Sequence, residues 1–303
     1  MNQHFAIGVD WGSTHRRSYV FDAGGKCTAS QADDMGALAC SGRFEVALND
    51  LIATLAVTPS RITLSGMVGS SLGWREIPYL SDSVPLWELR NHLAQVHGYE
   101  GDAQLRIVPG YCVRDMEGVP DVMRGEETQL LGALLTGHHS GWFVLPGTHS
   151  KWVLLSKGRI VQLKTFLTGE LFQLLSQHGS IASLCIKDGS FEEAVFIEGI
   201  KASQQGALSN LLFRCRARVV CSDMPAKHTL DYLSGLLIGA ELSLLAALKP
   251  MINFFHIIGE PGLAYRYQLG AKVLALHCES IDAVQSFCAA MGYLSIDERV
   301  DAS

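Results

Sequence analysis

The 303-residue sequence has few charged residues and no cluster of basic ones. Asp, Glu, Lys and Arg make up 18% of the chain, and 30 acidic residues against 24 basic ones give a net charge of −6. Proteins that bind nucleic acids carry a basic patch that neutralises phosphates. The charge pattern therefore argues against a nucleic-acid partner.

Long apolar runs and a secretory leader are also missing. The best apolar candidate, residues 233–248, is interrupted by Glu241 and is shorter than the roughly 20 residues that cross a bilayer. The residues before Asp10 lack the charged and apolar regions of a signal peptide. We therefore expect no membrane association and a cytoplasmic location.

Cysteines at the spacing of zinc or redox sites do not occur. The eight cysteines are scattered without a C-x-x-C pair, and Cys215 and Cys221 are the closest two. Free thiols in a reducing compartment are therefore expected. A hydrophobic fraction of 48% predicts a globular chain, and its length suffices for two domains with cores of their own.

A strand, a polar turn and a second strand are predicted over residues 5–22. In the turn, Gly12 allows the backbone to approach an anion closely, and Ser13 and Thr14 add hydroxyl donors. Asp10 ends the first strand, and it fits beside a phosphate only if Mg²⁺ or a substrate proton lies between them. The alternative is an ordinary hairpin whose polar side chains satisfy the turn.

The same layout recurs over residues 141–165. A strand leads into a turn with Gly147, Thr148 and His149, and two further strands follow, the first of which contains Lys151. Chance seldom repeats the same turn chemistry in the same strand context. Two such hairpin phosphate loops resemble those of the actin-like ATPase and sugar-kinase superfamily, which grip a nucleoside triphosphate from opposite sides of a cleft.

A glycine-rich segment follows a predicted strand at 61–64. Residues 65–80, SGMVGSSLGWREIPYL, combine glycines, aromatic residues and a cation just past a strand end, where open α/β sheets hold ligands. A substrate-binding loop is the favoured interpretation, and a surface loop with a buried Trp is the alternative. The candidate substrate contacts are Ser65, Gly66, Met67, Gly69, Ser70, Trp74, Arg75 and Tyr79.

Two carboxylates stand at the start of a helix predicted over residues 126–137. The helix dipole would stabilise the charges of Glu126 and Glu127, so a capped helix start is one interpretation. The other is a helix that connects two lobes, with one of these residues, or Asp121, as a general base in the cleft. Arg124 would hold an anionic substrate end or pair with a carboxylate.

The second half is predicted to be largely helical. After a strand, Gly259 begins a turn into a helix, which suits an adenosine pocket because glycine lets a purine lie on the backbone. Thr168 is the expected cap of an earlier helix. The remaining predicted elements are helices at 44–55, 85–97, 191–205, 209–218, 230–248, 263–270 and 281–291, strands at 104–108, 253–258 and 273–277, and a loop at 109–114.

Six stretches of the chain resemble the 2-dehydro-3-deoxygalactonokinase family. They are VDWGSTHRR, SGMVGSSLGWREIPYL, DVMRGEETQLLGAL, LPGTHSKWV, TFLTGELFQLL and LSGLLIGAEL. The resemblance implies an α/β, two-lobed actin-like (ribonuclease H-like) fold with mixed sheets and a hairpin phosphate loop in each lobe. It also implies that the γ-phosphoryl group of ATP passes to the C6 hydroxyl of 2-dehydro-3-deoxy-D-galactonate.

The resemblance carries expectations for domains and site residues. The N-terminal lobe would span 1–125, the connecting helix 126–138 and the C-terminal lobe 139–303. The two glycine-hydroxyl turns would hold the phosphates, and Lys151 or Arg16 would balance developing charge. Because the second turn lacks the Asp that many superfamily members have there, Asp10 is the expected Mg²⁺ partner. The base ranking places Glu127 or Glu126 first, then Asp121, then Asp10.

Other functions stay open at this point. A phosphohydrolase similar to exopolyphosphatases would use the two adjacent carboxylates to position water, although water needs no sugar pocket. A non-catalytic regulator that senses a sugar acid would carry a DNA-binding segment ahead of the first turn, and only a few residues precede Asp10. An actin-like filament subunit would need large insertions. The sequence does not decide the oligomeric state, for which a homodimer is one option.

Overall fold

The computed structural model describes residues 5–186, 190–245 and 252–295. The chain divides into two compact units: unit 1 comprises Met1–Ser140, Leu154–Leu163 and Asp282–Ser303, and unit 2 comprises Gly141–Val153 and Lys164–Ile281. The lobe boundaries predicted from the sequence, at residues 125 and 138, stay a prediction. In the division by contacts, the expected connecting helix belongs to unit 1.

The described residues form three sheets and a set of helices. The strands are β1 Phe5–Trp11, β2 Arg16–Phe21, β3 Cys27–Asp33, β4 Pro59–Gly66, β5 Leu80–Ser81, β6 Ala94–Gln95, β7 Gln104–Ile107, β8 Tyr111–Arg114, β9 Pro120–Met123, β10 Gly141–Leu145, β11 Ser150–Ser156, β12 Arg159–Phe166, β13 Phe254–Gly259 and β14 His277–Asp282. The α-helices are α1 Ala37–Cys40, α2 Phe44–Leu55, α3 Glu126–Leu135, α4 Thr168–Gln177, α5 Gly179–Ala182, α6 Glu193–Ala202, α7 Leu208–Val220, α8 Thr229–Leu245, α9 Pro261–Val273 and α10 Ala283–Ser295.

The sheet of six strands in unit 1 has the order β3-β2-β1-β4-β7-β6. The hairpin β1–β2 is antiparallel, and β1 runs parallel to β4 so that Asp10 lies opposite Ser65 and Trp11 opposite Gly66. The carboxyl ends of parallel strands meet at one edge of a sheet, which is where open α/β folds bind ligands. This register therefore brings the first polar turn and the glycine-rich segment to the same edge.

The core of unit 1 follows the predicted patterns closely. The helix predicted over 44–55 is α2, and its buried residues Phe44, Leu48 and Leu51 recur at helical spacing. The ring of Trp11, fully buried at the end of β1, meets Phe44 edge-on at 5.5 Å between centroids. Burial of this aromatic cluster anchors the first turn to the rest of the unit.

The last described helix, α10, also packs in unit 1, against α3 and β1. A Cβ placed on Gly132 of α3 would lie 1.7 Å from the carbonyl oxygen of Ser286, and one on Gly8 of β1 would lie 2.9 Å from Met291. Glycine at both positions therefore lets the helix approach. The hydroxyl of Ser286 donates to the carbonyl of Gln129 at 2.8 Å.

The other large sheet has the order β12-β11-β10-β13-β14, with β10 parallel to β13. Helix α8 of unit 2 is buried around most of its circumference. It corresponds to the helix predicted over 230–248, of which residues 246–248 lie outside the described residues. No helix within the described ranges is long and apolar enough to cross a membrane.

Three local predictions are wrong. The segment expected as a helix over 85–97 is a 3₁₀ turn, Leu86–His92, with apolar residues three apart, followed by the short β6. The expected loop at 109–114 contains β8, which pairs with β9. The strand expected at 273–277 is displaced, because α9 continues to Val273 and β14 begins at His277.

Candidate functional site

The first polar turn is held through its carbonyl groups. The carbonyl oxygens of Gly12, Ser13 and Thr14 accept hydrogen bonds of 2.9–3.3 Å from the amides of residues 36–38. Within the described part of the chain, no backbone carbonyl accepts a hydrogen bond from the amide of Ser13 or Thr14. A turn that offers free N–H groups is suited to bind an anion.

The second polar turn, in unit 2, shows the same polarity. The carbonyl of Thr148 accepts from the amide of Glu170 at 2.8 Å, and no described residue supplies a backbone acceptor for the amides of Gly147 and Thr148. A Cβ at Gly169 would lie 2.2 Å from the carbonyl of Gly147, so this glycine permits the close packing of α4 behind the turn. Both predicted phosphate turns are thus built alike.

His149, in the second turn, contacts an acidic side chain. Its Nε2 lies 2.6 Å from Oε2 of Glu170, and both groups are exposed. Thr168 is not the side-chain cap of α4, since the helix begins after Leu167 without such a bond. The Thr168 hydroxyl instead donates to Glu241.

Asp10 is a partly exposed carboxylate at the end of β1. Oδ2 lies 3.7 Å from Nη1 of Arg17, and 22% of the side chain is exposed. Burial raises the pKa of this carboxyl, Arg17 acts in the opposite direction and the negative charge of Glu126 adds to the rise, with a net pKa of about 6. Asp10 is therefore an anion at neutral pH that readily takes up a proton or a cation.

Glu127 is fully buried in the first turn of α3. Both of its carboxyl oxygens accept from the amide of Gly125, at 2.9 and 2.7 Å. Burial, followed by the charge of Glu126, raises the pKa of this carboxyl to about 8. The expectation that the helix dipole keeps both carboxylates charged is wrong for Glu127, because loss of hydration outweighs the dipole.

Glu126 is the more accessible of the two adjacent carboxylates. It is half-buried, and its Oε2 accepts the amide of Arg124 at 2.9 Å. Its charge raises the pKa of both Asp10 and Glu127, so it lies near both. The third candidate base, Asp121, lies in β9, where its Oδ1 accepts from the amide of Val122.

The glycine-rich segment meets the start of α3. Gly66 and Gly125 both have positive φ, at 91° and 108°. A Cβ on Gly66 would lie 2.7 Å from the carbonyl of Trp11, and one on Gly125 would lie 3.2 Å from the Cα of Gly66. The buried hydroxyls of Ser65 and Thr128 join the two segments at 2.7 Å. The predicted substrate loop and the predicted catalytic carboxylates therefore share one edge of unit 1.

Arg124 presents guanidinium donors without acceptors. Its guanidinium carbon lies 4.3 Å from the ring centroid of Tyr79, and Nη2 donates to the carbonyl of Ile77 at 2.6 Å. Nε and Nη1 are covered from solvent and have no hydrogen-bond partner among the described residues. A Cβ on Gly69 would lie 2.8 Å from Nη1, so glycine makes room for this group. Unpaired buried N–H groups of a cation call for an anionic acceptor.

The other candidates in the glycine-rich segment divide into structural and exposed groups. Trp74 stacks on Phe44 at 6.4 Å and meets Tyr99 edge-on at 6.2 Å, which agrees with the interpretation of a buried Trp. The hydroxyl of Ser70 donates to the carbonyl of Met67, which satisfies a local turn. Arg75 is exposed.

Two candidate cations have protein partners already. Arg16 is buried, pairs with Asp33 at 2.7 Å and donates to the carbonyl of Ala47 at 2.7 Å, so it is neither a solvated strand residue nor available to a phosphate. Nζ of Lys151 donates to Oγ1 of Thr165 at 3.0 Å.

In unit 2, Gly259 ends β13 before α9, as predicted, and a Cβ there would lie 3.2 Å from Pro146.

Glu241 was given no role from the sequence, although a carboxylate in the middle of a largely apolar helix was a signal for one. It also gave no indication of an open groove of about 470 Å³ in unit 2, lined by residues of α6 and α7. Arg218 in that groove already pairs with Glu198 at 2.9 Å and covers the ring of Tyr232. Its charges are thus partly neutralised within the protein.

Comparison with known proteins gives one consistent result. The model of the family described as 2-keto-3-deoxy-galactonokinase matches residues 10–294. The chain is 32% identical over 287 residues to the 2-dehydro-3-deoxygalactonokinase of Escherichia coli (strain K12), covering 93% of this chain and 94% of the relative. It is also 32% identical over 282 residues to a probable 2-dehydro-3-deoxygalactonokinase of Rhizobium meliloti (strain 1021), covering 91% of each.

Solved structures agree with this. A Sinorhizobium meliloti protein assigned to the 2-dehydro-3-deoxygalactonokinases superposes with a TM-score of 0.87 at 30% identity, over 95% of both chains. The component A of (R)-2-hydroxyglutaryl-CoA dehydratase from Acidaminococcus fermentans gives a TM-score of 0.55 at 11% identity, over 96% of this chain and 97% of the other. The second match bears on the fold alone, and the predicted actin-like α/β fold is confirmed.

Proposed function

Because this chain belongs to the 2-keto-3-deoxy-galactonokinase family, we propose that it transfers the γ-phosphoryl group of ATP to the C6 hydroxyl of 2-dehydro-3-deoxy-D-galactonate. The product is the 6-phosphate of the same sugar acid. The observation that carries this proposal is the family match over residues 10–294 together with 32% identity to relatives named for this activity. The residues of the two units support it as follows.

The two polar turns are the proposed phosphate-binding elements. In the first, the carbonyls of Gly12, Ser13 and Thr14 are bonded to the protein, and the amides of Ser13 and Thr14 have no backbone acceptor in the described ranges. In the second, the same holds for the carbonyl of Thr148 and for the amides of Gly147 and Thr148. Ser13, Thr14 and Thr148 add hydroxyl donors to these amides. Phosphoryl transfer asks the protein mainly for positioning and charge stabilisation, which such donors supply. That the two turns act on one nucleotide stays a prediction.

Mg²⁺ fits the donor set of unit 1. The carboxylates of Asp10 and Glu126 interact with each other, and no group of three or more His, Cys, Asp or Glu side chains within the described residues forms a closed metal site. Mg²⁺ is commonly bound by one or two carboxylates together with substrate phosphates. Asp10 would hold the ion, which when bound neutralises charge on the phosphate oxygens.

Glu126 is the proposed general base. It is half-buried at the start of α3 and lies next to the glycine-rich segment through Gly125 and Gly66. Glu127 is fully buried and holds its proton at neutral pH, which argues against it as the base. Glu126 would accept the proton of the C6 hydroxyl, a contribution usually worth about 10²–10⁴ in rate.

Arg124 is the proposed anchor for the substrate carboxylate. Its Nε and Nη1 have no acceptor among the described residues, and Tyr79 and Ile77 fix the guanidinium in place. The carboxylate would accept a charge-assisted hydrogen bond from one of these two groups, because Nε–H and Nη1–H lie on different sides of the guanidinium, and that bond would hold the sugar acid. Arg75 remains the exposed alternative. Adenosine near Gly259 and a homodimeric assembly stay predictions.

The test is a coupled assay that measures ADP formation with a panel of 2-dehydro-3-deoxy sugar acids, with NMR of the product to locate the phosphate. We expect the highest kcat/KM with the D-galactonate derivative and phosphorylation at C6. Release of phosphate from ATP at the same rate without any sugar acid would instead support the related phosphohydrolase function. Sugar-acid binding without ADP formation would support the regulator.

A further inference from the structure

Glu241 is a buried carboxylate in the apolar helix α8. Only 2% of it is exposed, and four neutral side chains donate to it. Oε1 accepts from Ser150 at 2.8 Å and from Trp152 Nε1 at 2.6 Å, and the Tyr267 hydroxyl lies 2.9 Å from both oxygens. The Thr168 hydroxyl donates to Oε2. No cation is among the causes that act on its pKa, which burial raises and these four donors lower.

The donors come from the segments that surround the second polar turn. Ser150 directly follows His149, and Trp152 lies in the same strand, β11. Thr168 is the first residue of α4, whose Gly169 packs against the backbone of Gly147. Glu241 therefore bonds to the strand that leaves the turn and to the helix that supports it from behind.

The remaining donor links the turn to the element after Gly259. Tyr267 is fully buried in α9, the helix that begins at Pro261, two residues after that glycine, and its hydroxyl also lies 3.1 Å from that of Ser150. Gly259 in turn approaches Pro146, the residue before the second turn. One acceptor thus connects the proposed phosphate-binding turn with the segment predicted to hold the adenosine.

A carboxylate is suited to this task because its two oxygens offer about four acceptor sites and no donor. An apolar residue at this position would leave the indole N–H of Trp152, which can only donate, buried without an acceptor. A glutamine could still accept from the indole through its carbonyl, while its amide donates to a hydroxyl, since hydroxyls can turn to accept.

We propose that Glu241 is a positioning residue for nucleotide binding, which fixes the second polar turn relative to α4 and α9 within unit 2. It does not touch the nucleotide, since it is buried behind Ser150 and Trp152. The proposal rests on the proposed function in one respect, namely that the second turn holds ATP phosphates. Glu241 lies outside both turns, yet its loss should lower the affinity for the nucleotide.

The test compares Glu241→Leu, Glu241→Gln and Asp231→Asn with the unaltered enzyme by calorimetric binding of ADP and of 2-dehydro-3-deoxy-D-galactonate separately. Asp231 is the matched control: a buried carboxylate in the same helix that accepts from the amide of Glu192 and faces Arg266. We expect Glu241→Leu to weaken ADP binding about tenfold or more and to leave sugar-acid binding within about twofold, as loss of one buried acceptor implies. Glu241→Gln should restore ADP affinity to within about threefold.

Unchanged ADP affinity in a folded Glu241→Leu protein, or an equal loss in Asp231→Asn, would overturn the proposal, because the effect would then be absent or merely structural. If Glu241→Leu does not fold, Tyr267→Phe and Thr168→Val each remove one donor and should weaken ADP binding by about threefold in the same selective way. Failure of the unaltered enzyme to bind ADP at all would instead contradict the proposed function.

Discussion

Gly66 and Gly125 lie in close contact, and a Cβ on either residue would crowd the neighbouring backbone. A Cβ on Gly125 would lie 3.2 Å from the Cα of Gly66, and both residues have φ in the range that favours glycine. This contact joins the glycine-rich segment to the helix that starts with Glu126. It therefore sets how closely the proposed base approaches the proposed substrate loop.

Substitution of Gly66 should affect both stability and activity. Gly66→Ala combines a positive φ of 91° with a Cβ 2.7 Å from the Trp11 carbonyl, and we expect a loss of about 3 kcal/mol or more in the free energy of unfolding. Gly118→Ala has a similar φ of 82° with no atom within 4 Å, and should cost only about 1 kcal/mol. Urea denaturation measures both. Equal losses would mean that the contact with Trp11 adds nothing.

Loss of the Glu126 carboxylate should lower turnover. Glu126→Gln keeps an acceptor for the amide of Arg124 but no base, so we expect kcat to fall about 10²-fold or more with little change in the KM for ATP. Glu127→Gln is the control, and its kcat should stay within about threefold, because the buried acid is already neutral at pH 7. The reverse ranking in steady-state kinetics would identify Glu127 as the base after all.

Stability should depend on pH through Glu127. The unfolded carboxyl loses its proton near pH 4.5 and the folded one near pH 8, so the folded state binds more protons in between and the free energy of unfolding falls as pH rises through that window. Asp10 acts in the same direction only up to about pH 6.

Glu127→Gln should remove this contribution. As pH rises between these limits, we expect the free energy of unfolding of the variant to increase relative to that of the unaltered protein by at most about 1.4 kcal/mol per pH unit. Chemical denaturation at pH 5, 6, 7 and 8 measures the difference. A difference that stays constant with pH would show that Glu127 does not carry a raised pKa.

The two candidate anchors for the substrate carboxylate can be separated by matched variants. Arg124→Met should raise the KM for the sugar acid about 10²-fold, with the KM for ATP nearly unchanged, because a charged hydrogen-bonded pair is lost. Arg75→Met should change either KM by no more than about threefold, because Arg75 is exposed. A larger effect of Arg75→Met on the sugar acid would favour the other anchor.

The sequence predicted those parts of the candidate site that depend on local order. Both polar turns, the strands that flank them and the helix starting at Glu126 lie where their patterns indicated. The environment of each side chain could not be predicted in the same way, because it depends on segments that are distant in the chain. Burial of Glu127 was not predicted, and the neighbouring β8, whose buried Tyr111 lies close enough for the charge of Glu127 to raise its pKa, was expected to be a loop.

The roles of the arginines show the same limit. Arg16 and Arg124 look alike in sequence, each next to a polar motif, yet Arg16 is used up by Asp33 and Ala47 while Arg124 keeps two donors without acceptors. Only the pairing of β2 with β3, which sets Arg16 opposite Asp33, decides the first case. A pattern of residue types identifies a cation but not its partner.

The packing of α10 against Gly132 and Gly8 has a consequence for biosynthesis. The face of β1 and α3 that α10 covers stays open during translation of the first 140 residues, because residues 283–295 are made after the whole of unit 2. All of 141–281 must leave the ribosome first. That face is therefore open to chaperones and proteases until α10 has been made, whereas all residues of unit 2 have been made once residue 281 is added.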